Sequence, residues 1–370
     1  MDPKVTYLNC AYMGPLPVKS LEAGRAAMGY EAQPWSLSVD DFFTHTDRAR
    51  ELVAGLIGAD KIDIAIVPSV SYGIATAAAN LKNTIGEGDE IVLLDEQFPS
   101  NVYAWRDLAK ETGAKIITVA RPADDDWTRA VLSCLTPKTR VAALPACHWS
   151  DGTSLDLTHI SRHLRELNAA LVLDLTQSLG AQPFSVEEVE VDFMVCAAYK
   201  WLLGPYSVGF MYVNPKHHGG TPIEKNWLPK KGSSDFAGLV RYRDEYEPGA
   251  KRFDVGENSN FTLMPVAVAS LELLNGLGVS QVQAYIEGLT DDIARRAKGM
   301  GLGVAERELR SAHIVGLRLP GQPPTGLTEH LASAGVSVSL RGESIRVSPN
   351  IYNDTSDIDS LFKVLGGWLL

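Results

Sequence analysis

An α/β fold, with a mostly parallel seven-stranded sheet and a smaller α+β C-terminal domain, is predicted by three features of the sequence. Between about residues 60 and 213, short β-rich apolar runs alternate with longer amphipathic stretches, the pattern of a helix-covered parallel sheet. After Pro215 the pattern breaks into a stretch dense in Gly, Pro, Lys and Asp, and from Pro265 a second rhythm of helices and short strands begins. A length of 370 residues fits one large and one small domain.

Seven runs are strand candidates: 62–67, 90–94, 115–119, 140–144, 170–173, 192–196 and 207–213. Several are apolar on both faces, as strands covered by helices on either side must be. The segments 71–81, 101–112 and 157–168 read as helices from an alanine-rich composition or a helical spacing of apolar and charged positions. The stretch after Pro215 up to about Gly256 reads as long loops across an edge of the domain. The C-terminal rhythm predicts helices over 265–277 and 279–299, a strand over 312–319, a helix over 325–334, two short strands and a closing helix from 355. The expected division is an N-terminal segment 1–20 packing with the small domain, a large domain 21–255 and a small domain 256–370.

A formal charge of −11 argues against nucleic acid or an anionic membrane as partner and leaves a metabolite. Cys10, Cys134, Cys147 and Cys196 lie far apart, without a C-x-x-C pair or histidines at zinc spacing, so no disulfide framework and no metal site is expected. The N-terminus lacks a basic start followed by an apolar core, and no apolar run reaches the ~18 residues of a membrane span. A cytoplasmic protein is the expectation. No G-x-G-x-x-G follows the first strand candidate and no G-x-x-x-x-G-K-[ST] occurs, which disfavours dinucleotide and nucleoside-triphosphate binding.

The segment Leu171-Val-Leu-Asp174-Leu-Thr-Gln177-Ser178 ends one strand candidate, and Ala198-Tyr199-Lys200-Trp201 follows another. Carboxyl ends of parallel strands face the ligand crevice, so Asp174 and Lys200 are expected in one cleft. An amine there can condense with a carbonyl, and a carboxylate can pair with a protonated pyridine nitrogen; pyridoxal phosphate chemistry needs both groups. Taken alone, Lys200 also reads as a solvated strand-end residue and Asp174 as a helix N-cap.

The whole constellation resembles the class V aminotransferases and their relatives, among them cysteine desulfurases and kynureninases, over Tyr7 to Tyr352. The resemblance implies the aspartate-aminotransferase fold, with pyridoxal 5′-phosphate held by Lys200 as a Schiff base, Asp174 at the pyridine nitrogen and Gln177 at the phenolic oxygen. Val67-Pro-Ser69-Val70-Ser71-Tyr72-Gly73-Ile74 lies where the family opens a helix on the phosphate. This implies contacts from the Val70 N–H and from Ser71, as helix N-termini bind anions. Asp95-Glu-Gln-Phe98-Pro99-Ser100-Asn101 resembles the N-F-P-[ST] segment of kynureninases, which puts Phe98 over the ring. Tyr199 resembles the kynureninase tyrosine that reaches the phosphate.

Ala146-Cys147-His148-Trp149-Ser150-Asp151-Gly152 falls beside cofactor and substrate in the family, making Trp149 and Ser150 candidate ligand contacts and leaving His148 equally structural. Ser344-Ile-Arg346-Val-Ser348-Pro-Asn-Ile-Tyr352-Asn353 resembles the R-x-S-x-x-x-Y-N segment whose arginine forks the substrate carboxylate. Arg346 is therefore the expected clamp, ahead of Arg341. Arg252-Phe-Asp-Val-Gly256-Glu-Asn258-Ser-Asn260 resembles the loop that crosses to a neighbouring subunit, with Asn258, Ser259 and Asn260 as alternatives for its phosphate contact. A homodimer with the site at its interface is implied.

The stretch from Gly316 to Arg346 contains no cysteine, so the nucleophile of the desulfurases is missing. The remaining reactions on an amino acid share a first step, the external aldimine. The expected order is aminotransferase first, C–S or C–C lyase or kynureninase-like hydrolase second, and amino-acid epimerase third. A catalytically silent binding protein is the non-enzyme alternative, disfavoured by the joint presence of Lys200, Asp174, Gln177 and Arg346.

Overall fold

Strand β1 (Thr6–Tyr7) and helices α1 (Val18–Ala32) and α2 (Thr44–Ile57) precede the main alternation. That alternation runs β2 (Ile64–Val67), α3 (Val70–Leu81), β3 (Glu90–Leu94), α4 (Tyr103–Thr112), β4 (Lys115–Val119), α5 (Trp127–Cys134), β5 (Thr139–Pro145), α6 (Leu157–Glu166), β6 (Ala170–Asp174), β7 (Phe193–Ala197) and β8 (Gly209–Val213). This computed structural model describes residues 4–321 and 323–369; residues 1–3 and 370, the ends of the expected terminal segments, lie outside the described residues.

All seven expected strands form, and they pair in the order β2-β8-β7-β6-β5-β3-β4. The run from β7 through β6, β5 and β3 to β4 is parallel, while β8 is antiparallel to both β7 and β2. Alternate side chains enter cores on opposite faces. Ile64, Ile66, Val92 and Leu94 pack on one side with α2, α5 and α6, and Ala65, Val67, Ile91 and Leu93 pack on the other with α3 and α4. Burial on both faces explains why these strands read as unbroken apolar runs.

The expected helix at 101–112 starts later, at Tyr103, because a 3₁₀ turn over Pro99–Asn101 comes first. The one at 157–168 ends at Glu166, before Asn168 takes a positive φ of 53°. Residues 214–262 contain only short 3₁₀ turns. This stretch is tied to the sheet by the buried Arg50–Asp254 ion pair, whose aspartate also accepts from the Ile66 N–H at 2.8 Å.

The remaining elements are α7 (Leu263–Leu277), α8 (Val279–Gly299), β9 (Val315–Arg318), α9 (Leu327–Ser333), β10 (Val336–Ser337), β11 (Ser339–Arg341), β12 (Ser344–Val347) and α10 (Thr355–Leu369). Three short strands follow α9 where two were expected, because β10 pairs not with its neighbours but in parallel with β1. The order β11-β12-β9 makes a small antiparallel sheet covered by α8, α9 and α10. Met264, Ala267, Leu271 and Leu274 of α7 pack into the core under the large sheet, and so do Val282 and Ile286 at the start of α8; Leu289, Ile293 and Ala297 further along α8 pack under the small sheet. Among the described residues, no single helix is long and apolar enough to cross a membrane.

Candidate active site

The carboxyl ends of β5, β6 and β7 open on a cavity of about 280 Å³. Asp174 is the last residue of β6, buried, with its Oδ1 accepting from the Thr176 N–H at 3.0 Å. Thr176 in turn accepts from the Ala197 N–H at 3.1 Å, which fixes the turn after β6 to the end of β7. Lys200 lies three residues beyond β7 and is buried. Its carbonyl accepts from the Leu203 N–H at 3.1 Å, and the Tyr199 carbonyl accepts from the Gly14 N–H at 2.8 Å, so the lysine turn is held from two sides.

Burial dominates the electrostatics here. It pushes the Asp174 carboxyl above the usual carboxylate range, against the pull of the Thr176 hydrogen bonds and the Lys200 charge. It also lowers the Lys200 amine to about 8, with Arg346 acting in the same direction and Asp174 opposing. The lysine Nζ stands 5.4 Å from the centre of the Phe98 ring and 5.6 Å from that of Tyr199.

At the other end of the cavity is the N-terminus of α3, with Val70 and Ser71 as its first residues. Ser69 caps it, its Oγ accepting from the Tyr72 N–H at 3.2 Å and lying 3.0 Å from the Ser71 hydroxyl. The first N–H groups of a helix have no partner within it and aim at whatever fills the space beyond.

The side walls are fixed by hydrogen bonds that the lining residues make to the backbone and to one another. Gln97 bridges the diverging ends of β3 and β5, accepting from the Leu94 N–H and donating to the carbonyls of Asn101 and Ala143, each at 3.0 Å. That sets Phe98, which meets Trp149 edge-on at 5.5 Å between centroids; the Trp149 indole N–H donates to the Glu96 carbonyl at 2.7 Å. Gln177 accepts from the Trp201 indole and donates one amide N–H to the Ala11 carbonyl, each at 3.1 Å, leaving its second N–H.

Beyond Lys200 and Phe98 lies a second, outer chamber of about 450 Å³, lined by Tyr12, Trp149, Arg341 and Arg346 among others. Arg346 projects from β12, is 1% exposed, and donates to the Trp149 carbonyl at 2.7 Å. Val70, Ser71, Phe98, Trp149, Asp174, Gln177, Tyr199, Lys200 and Arg346 therefore each line one of the two connected spaces, whereas Ser150, the other candidate ligand contact, lines neither because its hydroxyl is held by His148 and Arg121.

His148 is held as a structural group. Its Nε2 faces the Asp95 carbonyl at 3.1 Å and so carries the proton, while Nδ1 takes hydrogen bonds from Ser150 at 2.7 Å and Arg121 at 3.1 Å. The ring stacks on Trp127, and burial holds it neutral. Asn258 donates to Asp254 and Asn260 accepts from the Leu263 N–H, both at 2.9 Å; these two and Ser259, whose buried hydroxyl has no partner among the described residues, do not line the cavity.

Ser69, Thr176, Tyr206 and Ser207 also line the inner cavity without having been singled out in the sequence. Ser69 had a signal, a serine just before a helical pattern. The 4.7 Å contact between the Tyr199 and Tyr206 rings depends on the turn between them, where Leu203 has a positive φ, and has none.

A buried carboxylate without a fixed cation, an amine lowered toward neutrality and a helix N-terminus at the far end fit pyridoxal phosphate: Asp174 for a protonated ring nitrogen, Lys200 for the aldehyde, and the start of α3 for the phosphate. The cysteines offer nothing comparable, because burial pushes the thiols of Cys10 and Cys147 up to about 12 and that of Cys196 well above its usual value. Among the described residues no group of three His, Cys, Asp or Glu side chains could hold a metal ion.

Comparison with known proteins agrees with this fit. The chain is 27% identical over 334 residues to an uncharacterized aminotransferase, YcbU, of Bacillus subtilis (strain 168), covering 89% of this chain and 84% of that protein. It is 25% identical over 382 residues to isopenicillin N epimerase of Streptomyces clavuligerus, covering 99% and 95% of the two chains. It is also 25% identical to a kynureninase of Xanthomonas euvesicatoria pv. vesicatoria, covering 94% and 88%. Among solved structures, the cystine C-S lyase C-DES in complex with cysteine persulfide superposes with a TM-score of 0.88 at 22% identity, over 98% of this chain and 97% of that one. A family model described as aminotransferase class-V matches residues 36–361, and the chain belongs to that family of pyridoxal phosphate enzymes.

Proposed function

We propose that this protein is an aminotransferase acting on an α-amino acid. The observation that supports this reading best is geometric: among the described residues lining the cavities Lys200 is the one primary amine, its Nζ standing beside the Phe98 and Tyr199 rings where the two spaces meet, and burial lowers it to about 8. Tyr199 and Cys147 are each pushed up to about 12 by burial, and His148 is fixed in its hydrogen bonds. Transamination needs one acid–base group that takes a proton from the substrate α-carbon and returns it elsewhere. Elimination needs in addition a donor for the leaving group, hydrolysis a base for water, and desulfuration a thiolate.

Pyridoxal phosphate, when bound, supplies the electron sink that makes the α-proton removable. The protein residues do the rest. Lys200 Nζ holds and moves the proton. Asp174 keeps a negative charge in a dry site. Phe98 and Trp149 exclude water on the side away from the sheet. Arg346 fixes the substrate carboxylate, and with it the direction of the α-hydrogen. The reading includes a homodimer, for which the individually exposed Val18, Met28 and Trp35 are candidate contacts.

The test is a panel of amino acids added one at a time to the holoenzyme with no amino acceptor. The proposal predicts up to one equivalent of keto acid per subunit and no released fragment. Release of sulfide, ammonia or alanine would favour the lyase or hydrolase reading, and inversion of the α-carbon alone the epimerase.

A further inference from the structure

The outer chamber contains three cationic side chains, Lys200, Arg341 and Arg346, and no Asp or Glu among the residues that line it. Among the described residues neither arginine is paired with a carboxylate. Arg346 donates to the Trp149 carbonyl and Arg341 to the Leu340 carbonyl, and the Nε of each is buried with no hydrogen-bond partner. Arg346 is buried and Arg341 half-buried; charge held partly out of water without a counter-charge is costly, and an anion that arrives with the ligand would offset that cost.

The small sheet sets their spacing. Ser339 lies opposite Arg346 in the β11–β12 pair, and Arg341 is two residues further along β11, so both arginines project from the same face as diagonal neighbours. Such positions are roughly 7 Å apart at their Cβ atoms. Trp149 stands between them: Arg341 lies over its ring, 5.5 Å from the centroid, and Arg346 bonds its carbonyl. Stacking restricts the Arg341 side chain before any ligand binds. Burial together with the charge of Arg341 pulls Arg346 down to about 9, so a carboxylate on Arg346 would leave the charge of Arg341 still unmatched.

Resting on the aminotransferase reading above, we infer that the substrate is an amino acid whose side chain ends in an acidic group, its α-carboxylate held by Arg346 and its distal anion by Arg341. A dicarboxylic amino acid of the aspartate-to-aminoadipate size class has two anions at a spacing that diagonal neighbours on one sheet face can reach, and it matches the charge of both arginines.

The test uses ligands that cannot react, so that it is independent of which reaction the enzyme performs. Calorimetric titration of the holoenzyme with glutarate and with valerate compares a dicarboxylate with a monocarboxylate of equal chain length. Glutarate is expected to bind at least ~10-fold more tightly, the contribution of one charge-assisted hydrogen-bonded pair, and Arg341→Gln is expected to collapse that ratio to near one. Equal affinities in the wild type would overturn the inference. So would a ratio that survives in Arg341→Gln, including the case in which both ligands weaken by the same factor, since Arg341 would then share the single carboxylate bound by Arg346. If the wild-type ratio is present and the amino-acid panel yields no keto acid, the reaction is misassigned and the dicarboxylate site stands.

Discussion

Asp174 ends strand β6 and Lys200 follows its parallel neighbour β7 by three residues, so the sheet itself delivers a carboxylate and an amine to one cavity. Neither is comfortable there. Burial raises the carboxyl and lowers the amine, and each partly offsets the shift of the other. Such a pair is costly to an empty protein and useful to one that holds a cationic ring and an aldehyde.

Replacing Asp174 by Asn separates these two effects. The amide keeps the shape and the oxygen that accepts from Thr176, and it removes the charge. Catalysis should fall by about 10²-fold or more, while the cofactor-free protein should melt at a higher temperature than wild type because a buried carboxylate is gone. Steady-state rates and calorimetry of the apoprotein check the two directions, and a variant that keeps its rate removes Asp174 from the mechanism.

Gly14 illustrates how a distant segment sets the lysine. A Cβ on this residue would lie 2.2 Å from the Lys200 carbonyl oxygen, a backbone atom that cannot swing away. Gly14→Ala should therefore displace the lysine turn, lowering kcat/KM by at least ~10-fold and stability by roughly 1–3 kcal/mol. Wild-type kinetics in this variant would show that the turn yields without consequence.

Acid sensitivity should arise from His313. Its Nε2 faces the Gln177 carbonyl, its ring packs edge-on against Trp201 at 4.5 Å, and burial lowers it to about 4. An unfolded histidine takes up a proton below ~6.5, and the folded one resists until about 4. The unfolded state thus binds more protons in that window, and stability falls as pH drops through it, by roughly 1.4 kcal/mol per pH unit. Urea unfolding between pH 7 and 4.5 should show this slope in the wild type and a flatter one in His313→Asn.

The sheet is legible because most of its strands are buried on both faces, so Ile91-Val-Leu-Leu94 or Phe193-Met-Val-Cys-Ala197 stand out as apolar runs without needing a partner. Their direction is not: nothing in the composition of Gly209–Val213 says that β8 runs against its neighbours. Helix α1 carries no sequence signature because it buries only Ser20 and Ala27 while Val18, Leu21 and Met28 stay exposed, so no apolar stripe marks it. In α2 the buried face includes Arg50, whose partner Asp254 lies two hundred residues away along the chain. The same division runs through the site. Lys200, Asp174 and Gln177 sit in short local patterns, whereas the pairing of Arg341 with Arg346 exists only in the register of β11 on β12.

The most direct measurement is the visible absorption spectrum of the purified protein before and after borohydride, followed by peptide mapping, with Lys200→Ala alongside. A band characteristic of lysine-bound pyridoxal phosphate that borohydride abolishes, with the label recovered on the Lys200 peptide and absent from the variant, is the predicted result. A wild-type protein that acquires no such band when pyridoxal phosphate is added, or one in which the label falls on another lysine, would contradict the assignment of Lys200 at its root.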